Sequence, residues 1–384
     1  MKTPKILVVV GTRPEAIKLA PVIRRIREDP CFLVEICATG QHRELLDQAL
    51  AHFDLQPDHD LAVMTTDQTL DSLTSKTLER MSELLRRVQP QMVMVQGDTT
   101  SAMAAALAAF YLGIPVAHVE AGLRTNDKRS PFPEEMNRRL VASIAELHFA
   151  PTVGARENLL NEGIRPDAIH VTGNTAIDAL LWTVKHLNGR QAALRTMDGM
   201  VFEPATIANE RVVLVTAHRR ENYGDGIREI CGALLSISKL PRSQIVFSVH
   251  FNPNIRKVVT ELLSDTPNIH LLAPLDYFSF AQLLNQSFLV LTDSGGVQEE
   301  SPSLGKPVLV MRDTTERPEG IAAGNALLVG TNAREIECVV RELWHDDSRR
   351  ESMARVANPY GDGNAAPRIH EALVHHFAGG GPRA

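Results

Sequence analysis

The chain has 384 residues, 44% hydrophobic and 22% charged, an ordinary globular composition in a chain long enough that two domains are the default. Forty basic against 46 acidic side chains leave a formal charge of −6, which provides no footprint for nucleic acid or an anionic membrane. No run approaches the roughly 20 apolar residues of a membrane span, and Cys31, Cys37, Cys231 and Cys338 form no C-x-x-C pair or zinc-spaced Cys/His cluster.

The first residues lead into a short apolar strand with no signal-peptide core. A reducing, cytoplasmic setting is expected, with Cys31, Cys37 and Cys231 as buried free thiols among apolar neighbours. Short apolar runs then alternate with longer amphipathic ones, the pattern of βαβ units and parallel sheets. In the first half strands are expected at Ile6–Val10, Leu33–Ala38, Met92–Gln96, Pro115–Val119, Leu147–Phe149 and Ile169–Val171. The longest helical pattern runs from about Leu70 to Arg87 and is ended by Pro90. In the second half strands are expected at Val212–Thr216, Ile245–Val249, Ile269–Leu272, Phe288–Thr292, Val308–Met311 and Leu327–Val329. Asn188–Asn209 has weak periodicity, so a domain boundary is expected there or slightly before. The pattern turns helical again at Ala365–Phe377 and ends in a glycine-rich tail, 379–384, expected to be disordered. Two doubly wound domains, with ligands at the carboxyl ends of their strands, are the natural reading.

The chemistry-bearing residues follow these strands directly. Gly11-Thr12-Arg13-Pro14-Glu15 offers a glycine turn, and Arg13 and Lys18 add two cations. Asp98, after Met92–Gln96, is either a general acid/base or a helix cap. Glu120 follows Pro115–Val119 and is harder to explain as a cap; Glu134 and Glu135 open the next helix, where one of them can serve only the helix dipole. His218-Arg219-Arg220 suits a diphosphate, with His218 able to protonate a departing phosphate, or else is a solvated basic turn. His250 repeats that placement. Asp293-Ser294-Gly295-Gly296-Val297-Gln298-Glu299-Glu300 combines a glycine turn with a helix start, an anion site, and two acids that could accept sugar hydroxyls. Arg312–Gly320 packs charges densely beside a strand, as a ligand-facing loop or as pairs among themselves. No G-x-G-x-x-G follows a strand.

Read in order, G-T-R-P-E-A-I-K (11–18), T-G-Q-H-R (39–43), G-D-T (97–99), H-V-E-A-G-L-R-T (118–125), P-F-P-E-E-M-N-R-R (131–139), H-R-R-E-N (218–222), D-S-G-G-V-Q-E-E (293–300) and T-T-E-R-P-E (314–319) resemble the motifs of the bacterial non-hydrolysing UDP-N-acetylglucosamine 2-epimerases. The resemblance continues to Asn358-Pro359-Tyr360-Gly361-Asp362-Gly363. It implies the GT-B architecture: two Rossmann-like, doubly wound α/β domains with the active site in the interdomain cleft. The expected division is 1–172 joined by a C-terminal helix at 365–378, and 173–364. It further implies reversible conversion of UDP-GlcNAc to UDP-ManNAc, for surface polysaccharide synthesis, through elimination of UDP to 2-acetamidoglucal and re-addition.

Asp98, Glu120, Glu134 and His218 would be catalytic. Arg13, Lys18, Phe280, Ser294, Gly295, Gly296, Glu300 and Arg317 would bind substrate. Gln41, His42, Arg219 and His250 are candidates for a second, activating UDP-GlcNAc site, although Glu44 and Asp67 stand where some members carry glutamine and arginine. The resemblance implies a homodimer and neither metal nor cofactor; no tyrosine has lysine four positions on, as transient oxidation by NAD would usually need. Open alternatives are a GT-B glycosyltransferase, a 2-epimerase for a modified sugar such as UDP-2,3-diacetamido-glucuronic acid, a hydrolysing epimerase and a non-catalytic sensor.

Overall fold

The computed structural model describes residues 3–40, 43–65, 68–187 and 194–379. The chain forms two compact units, Met1–Ala179 with Gly361–Ala384, and Leu180–Tyr360.

In the first unit the order is β1 (Lys5–Val10), α1 (Arg13–Arg27), β2 (Leu33–Ala38), α2 (Arg43–His52), β3 (His59–Asp60), α3 (Leu70–Val88), β4 (Met92–Gln96), α4 (Thr100–Tyr111), β5 (Val116–Val119), α5 (Glu134–Ile144), β6 (Leu147–Ala150), α6 (Val153–Asn161), β7 (Ile169–Val171) and α7 (Thr175–Lys185), the last running across the division. All strand pairs are parallel, in the order β3-β2-β1-β4-β5-β6-β7. The central strands β1 and β4 are almost wholly buried, which is why they read as unbroken apolar runs and not as alternation. The alanine-rich α4 packs closely between α3 and α5.

The second unit begins with the two-residue antiparallel strands β8 (Leu194–Arg195) and β9 (Val201–Phe202). It continues through β10 (Arg211–Ala217), α8 (Asp225–Ile237), β11 (Ser243–Val249), α9 (Pro253–Leu263), β12 (Ile269–Leu272), α10 (Tyr277–Gln286), β13 (Leu289–Thr292), α11 (Gly295–Glu300), β14 (Val308–Val310), α12 (Pro318–Ala323), β15 (Ala326–Leu328), α13 (Ala333–His345) and α14 (Asp347–Ala354). Its six-stranded parallel sheet has the order β12-β11-β10-β13-β14-β15. The last helix, α15 (Ala365–Ala378), packs on α1 in the first unit, where His370 Nε2 lies 2.8 Å from Asp29 Oδ2.

Both sheets are Rossmann-like. In each, the winding direction reverses between two central strands, β1 and β4 in one and β10 and β13 in the other. The loops leaving such a pair diverge and open a crevice at the strands' carboxyl ends. The twelve strands expected from sequence occur within two residues of their expected ends. Among the described residues β3, β8 and β9 are additional; at two residues each they carry no periodic signal. One expectation needs correcting. Cys37 and Cys231 are buried, but Cys31 is exposed, because it sits in the turn after α1 where its N–H donates to Asp29 Oδ1 at 2.8 Å. All four thiols are free.

Candidate active site

Loops after β1, β4 and β5 carry the first unit's candidates. A Cβ added at Gly11 would stand 2.9 Å from Ser101 Cβ and 3.0 Å from Thr39 Oγ1, so glycine is required by space and not by a left-handed backbone. Glu15, 2% exposed, accepts from Gly11 N (2.9 Å), Thr12 N (2.6 Å) and Thr99 Oγ1 (2.7 Å). It therefore locks the β1 loop to the β4 loop, and burial pushes its pKa up despite these donors. Arg13 opens α1 half-buried and forms no ion pair among the described residues.

Thr99, not Asp98, caps α4: Thr99 Oγ1 accepts from Ala102 N at 3.0 Å. That leaves the Asp98 carboxylate to accept from the Arg138 guanidinium of α5, while Asn137 Nδ2 donates to Asp98 O at 2.9 Å. Gly97 has φ +69°, which suits glycine. Its N–H donates to Val119 O at 3.0 Å and its carbonyl accepts from His118 Nε2 at 2.8 Å. His118 is fully buried, and burial drives its pKa down to about 3. The ring is neutral with its proton on Nε2, and ties β5 to the Asp98 loop.

Glu120 has φ +65°, a left-handed conformation that costs a non-glycine residue roughly 1–2 kcal/mol. Its Oε2 accepts from Lys18 Nζ at 2.5 Å. The loop's path is dictated two residues later: a Cβ on Gly122, φ +90°, would lie 2.2 Å from Ala155 O in α6. Of the two acids opening α5, Glu135 is fully buried and accepts from Thr125 N (3.0 Å), Asn126 N (3.3 Å), Arg139 Nε (2.9 Å) and Arg138 (3.4 Å). Burial opposes its charge, but those donors outweigh it and its pKa is lowered. Glu134 is half-buried and makes no hydrogen bond or ion pair among the described residues.

The second unit is organised around Asp293, fully buried after β13. Its Oδ2 accepts from His218 N (2.9 Å), Arg219 N (2.8 Å) and Asn222 Nδ2 (2.9 Å), and Oδ1 lies 2.9 Å from His218 Nδ1. Burial works against this carboxylate, yet His218 and the two N–H groups lower its pKa. Asp293 thus bridges the loops after β10 and β13 and orients the His218 ring.

Ser294 caps α11 by its backbone conformation, and Gly295 and Gly296 form the first helical turn. Neither glycine is left-handed, so their role is openness: a Cβ on Gly296 would meet nothing within 4 Å, and one on Gly295 would stand 3.7 Å from Arg317 Cζ. The Arg317 guanidinium therefore lies beside free N–H groups at a helix start, two attractions for one anion. The paired acids separate: Glu299, 5% exposed, accepts from Arg317 Nε. Glu300 is half-buried near Tyr277, whose phenol is pushed up by burial and by that charge. Phe280 packs partly buried on the cluster that includes Val297.

The 312–320 charges pair mostly with other loops: Arg312 Nε with Glu221 (2.7 Å), Glu316 with Arg219 (3.3 Å) and Arg317 with Glu299, while Arg312–Glu316 (3.5 Å) is internal. His250 is exposed, its ring centroid 6.1 Å from that of His218. Gln41, His42 and Asp67 lie outside the described residues. Among the described residues no three His, Cys, Asp or Glu cluster as a metal site. Sequence reasoning assigned no role to His118, Arg138, Asn222 or Asp293, although each lies inside a motif it quoted.

The sequence model of the UDP-N-acetylglucosamine 2-epimerase family matches residues 24–374. The UDP-N-acetylglucosamine 2-epimerase of Salmonella typhimurium is 49% identical over 372 residues, 96% of this chain and 98% of the relative. Among solved structures, the UDP-GlcNAc 2-epimerase of Neisseria meningitidis bound to UDP-GlcNAc is similar at TM-score 0.84 and 45% identity, over 96% of this chain and 99% of that one. The UDP-GlcNAc 2-epimerase of Methanocaldococcus jannaschii in complex with UDP-GlcNAc and UDP gives TM-score 0.76 and 34% identity, over 97% and 99%.

Proposed function

We propose, from the premise that this chain belongs to the UDP-N-acetylglucosamine 2-epimerase family of isomerases, that it inverts C2 of UDP-GlcNAc by eliminating and re-adding UDP. The C2 hydrogen has no neighbouring carbonyl to acidify it. Breaking the C1–O bond to UDP places positive charge on C1, and a carboxylate can then take the C2 proton. The C–H electron pair becomes the C1=C2 bond of 2-acetamidoglucal, and the C1–O pair leaves with UDP. Return of a proton to the other face of C2, with attack of the UDP oxygen on C1, completes the inversion.

The observation that carries this reading is the pair of strand-end carboxylates Asp98 and Glu120, each paired with a cation, on loops that His118 ties together. Neither is consumed by helix capping, and Glu120 occupies an unfavourable backbone conformation of the kind found at functional sites. Glu134 is the third acid of the set. In the second unit Gly295, Gly296 and Arg317 would hold the diphosphate, whose charge grows as C1–O breaks. His218, oriented by Asp293, would protonate it. Ser294 would join them at the diphosphate, Phe280 and Glu300 would contact the nucleoside part, and Arg13 would be a further cation.

The proposal extends to a cytoplasmic homodimer supplying ManNAc units for polysaccharide, with a second UDP-GlcNAc as activator near Gln41, His42, Arg219 and His250. No described helix is long and apolar enough to cross a membrane. Arg219 already engages Glu316, so activation through it requires that pair to open. A strictly hyperbolic rate curve in UDP-GlcNAc, with no activator effect on the reverse reaction, would count against the second site.

The deciding experiment is incubation with UDP-GlcNAc alone in D2O, followed by NMR. UDP-ManNAc deuterated at C2 is expected, with little free sugar. Absence of exchange at C2 would sink the mechanism, and release of free ManNAc would assign hydrolysis instead.

A further inference from the structure

The loop that carries Arg317 is held from a distant segment for which the reaction has no evident use. Tyr360, 3% exposed, places its hydroxyl between two backbone groups: it accepts from Gly320 N at 2.9 Å and donates to Arg317 O at 2.9 Å. Gly320 is shaped to this contact, since a Cβ there would stand 3.1 Å from the phenol oxygen and 3.2 Å from Asn325 Oδ1. Asn358 works on α11 in parallel. Its Nδ2 donates to Glu299 O at 2.8 Å and Ser303 Oγ at 2.6 Å, and its Oδ1 accepts from Tyr360 N at 3.1 Å. The Arg317 loop and α11 are also knitted directly, Thr315 Oγ1 to Gln298 Oε1 at 2.7 Å and Arg317 Nε to Glu299. Two side chains from one short run thus brace both elements beside the open glycines.

The residues that follow are fixed in turn within the first unit. A Cβ on Gly361, φ +152°, would lie 3.2 Å from Asn174 N. Asp362 holds Arg368 through two hydrogen bonds of 2.7 Å. Asp178 accepts from Ala365 N (3.2 Å) and Ala366 N (2.9 Å) at the start of α15. Tyr360 itself is held within the second unit, its hydroxyl by Gly320 N and Arg317 O and its N–H by Asn358 Oδ1.

We infer that Tyr360 and Asn358 are positioning residues for the diphosphate site, setting the backbone from which Arg317 and the α11 N–H groups project; the inference rests on the reading that Arg317 and α11 bind the diphosphate. Removing the phenol oxygen leaves a buried N–H and C=O without their partner, and the loop can relieve this only by moving Arg317.

The test is calorimetric titration of UDP into wild type, Tyr360→Phe, Arg317→Ala and the double variant, with thermal midpoints measured alongside. Tyr360→Phe should weaken UDP about tenfold, the factor that corresponds to ~1.4 kcal/mol. In the Arg317→Ala background the same change should cost less than about twofold, because the phenol acts through that residue. Unchanged UDP affinity in Tyr360→Phe, or an equal loss in both backgrounds, would overturn the inference while leaving the diphosphate site in place. Unchanged affinity in Arg317→Ala would instead overturn the site, and the inference with it. Should Tyr360→Phe not fold, Asn358→Ala keeps the phenol and releases α11 from this run: weaker UDP binding supports the inference, and unchanged UDP affinity overturns it.

Discussion

The two strand-end regions hold their functional groups by different means. In the first unit, Asp98 and Glu120 are fixed by side-chain ion pairs reaching across the chain, to Arg138 and Lys18. In the second, one buried carboxylate, Asp293, collects two backbone N–H groups, an amide and a histidine, and the turn that follows it is backbone and glycine. The contrast suits what each half would do under the proposed function. A diphosphate needs many donors in fixed places, which backbone supplies cheaply. Proton transfer needs carboxylates that can take up and give back a proton, and so partners that can adjust.

The sharpest break in the comparison is chemical. Asp98→Asn or Glu120→Gln should lower turnover about a thousandfold, within the usual range for general acid–base groups, while UDP affinity by calorimetry changes little. Equal loss of both quantities would place these residues in binding. Gly296→Leu should do the reverse. A Cβ there meets nothing within 4 Å, and the side chain would occupy the proposed approach of the diphosphate, weakening UDP roughly thirtyfold, or ~2 kcal/mol. Retained UDP affinity would show that the ligand lies elsewhere.

His118 offers a smaller and more specific break. His118→Leu removes the donor to Gly97 O and should lower kcat about tenfold with little change in KM. His118→Gln carries an N–H near the Nε2 position and should restore part of it; two equally impaired variants would mean that the ring matters only as packing.

The smallest expected effect is on stability against pH. The folded pKa values of His118 and His148 are depressed by burial to about 3 and about 4, below the ~6.5 of an unfolded histidine. Between those values the unfolded chain binds more protons, so the first unit loses stability as pH falls from 7 to 5. Asp293 is lowered too and also loses stability as pH falls, but in a lower window. Its contribution is complete above the unfolded carboxylate value near ~3.9 and is lost only as pH falls through the folded one. Half-buried His270 of the second unit shifts downward as well, one histidine against three in the first, where His170 is also lowered by burial. Hydrogen exchange at pH 5 and 7 should therefore show a larger loss of protection in β4 and β5 than in β10 and β13, and His118→Gln should narrow the gap. Equal losses would remove the distinction.

Much of this was legible because local patterns carry it. Strands buried on both faces read as short unbroken apolar runs, and the loop that follows each one announces itself by glycine and charge. The ordered motifs then identified the family. The resemblance assigned roles to Glu134 and Glu300, but that Thr99 caps α4, that Glu135 is enclosed by donors and that Glu299 pairs with Arg317 appear only in the fold, because composition treats such neighbours alike. His118 and Tyr360 read as unremarkable polar positions until Gly97 O, Gly320 N and Arg317 O come within reach.

The sequence by itself determined the class of fold, the placing of chemistry at strand ends and the family. Each depends on spacing between near neighbours, which the chain records directly. Only the tertiary structure decided which partner each acid takes. That choice belongs to partners 40 residues away for Asp98, 102 for Glu120 and 18 for Glu299, and a hydrogen bond or ion pair forms only where folding brings its two ends together.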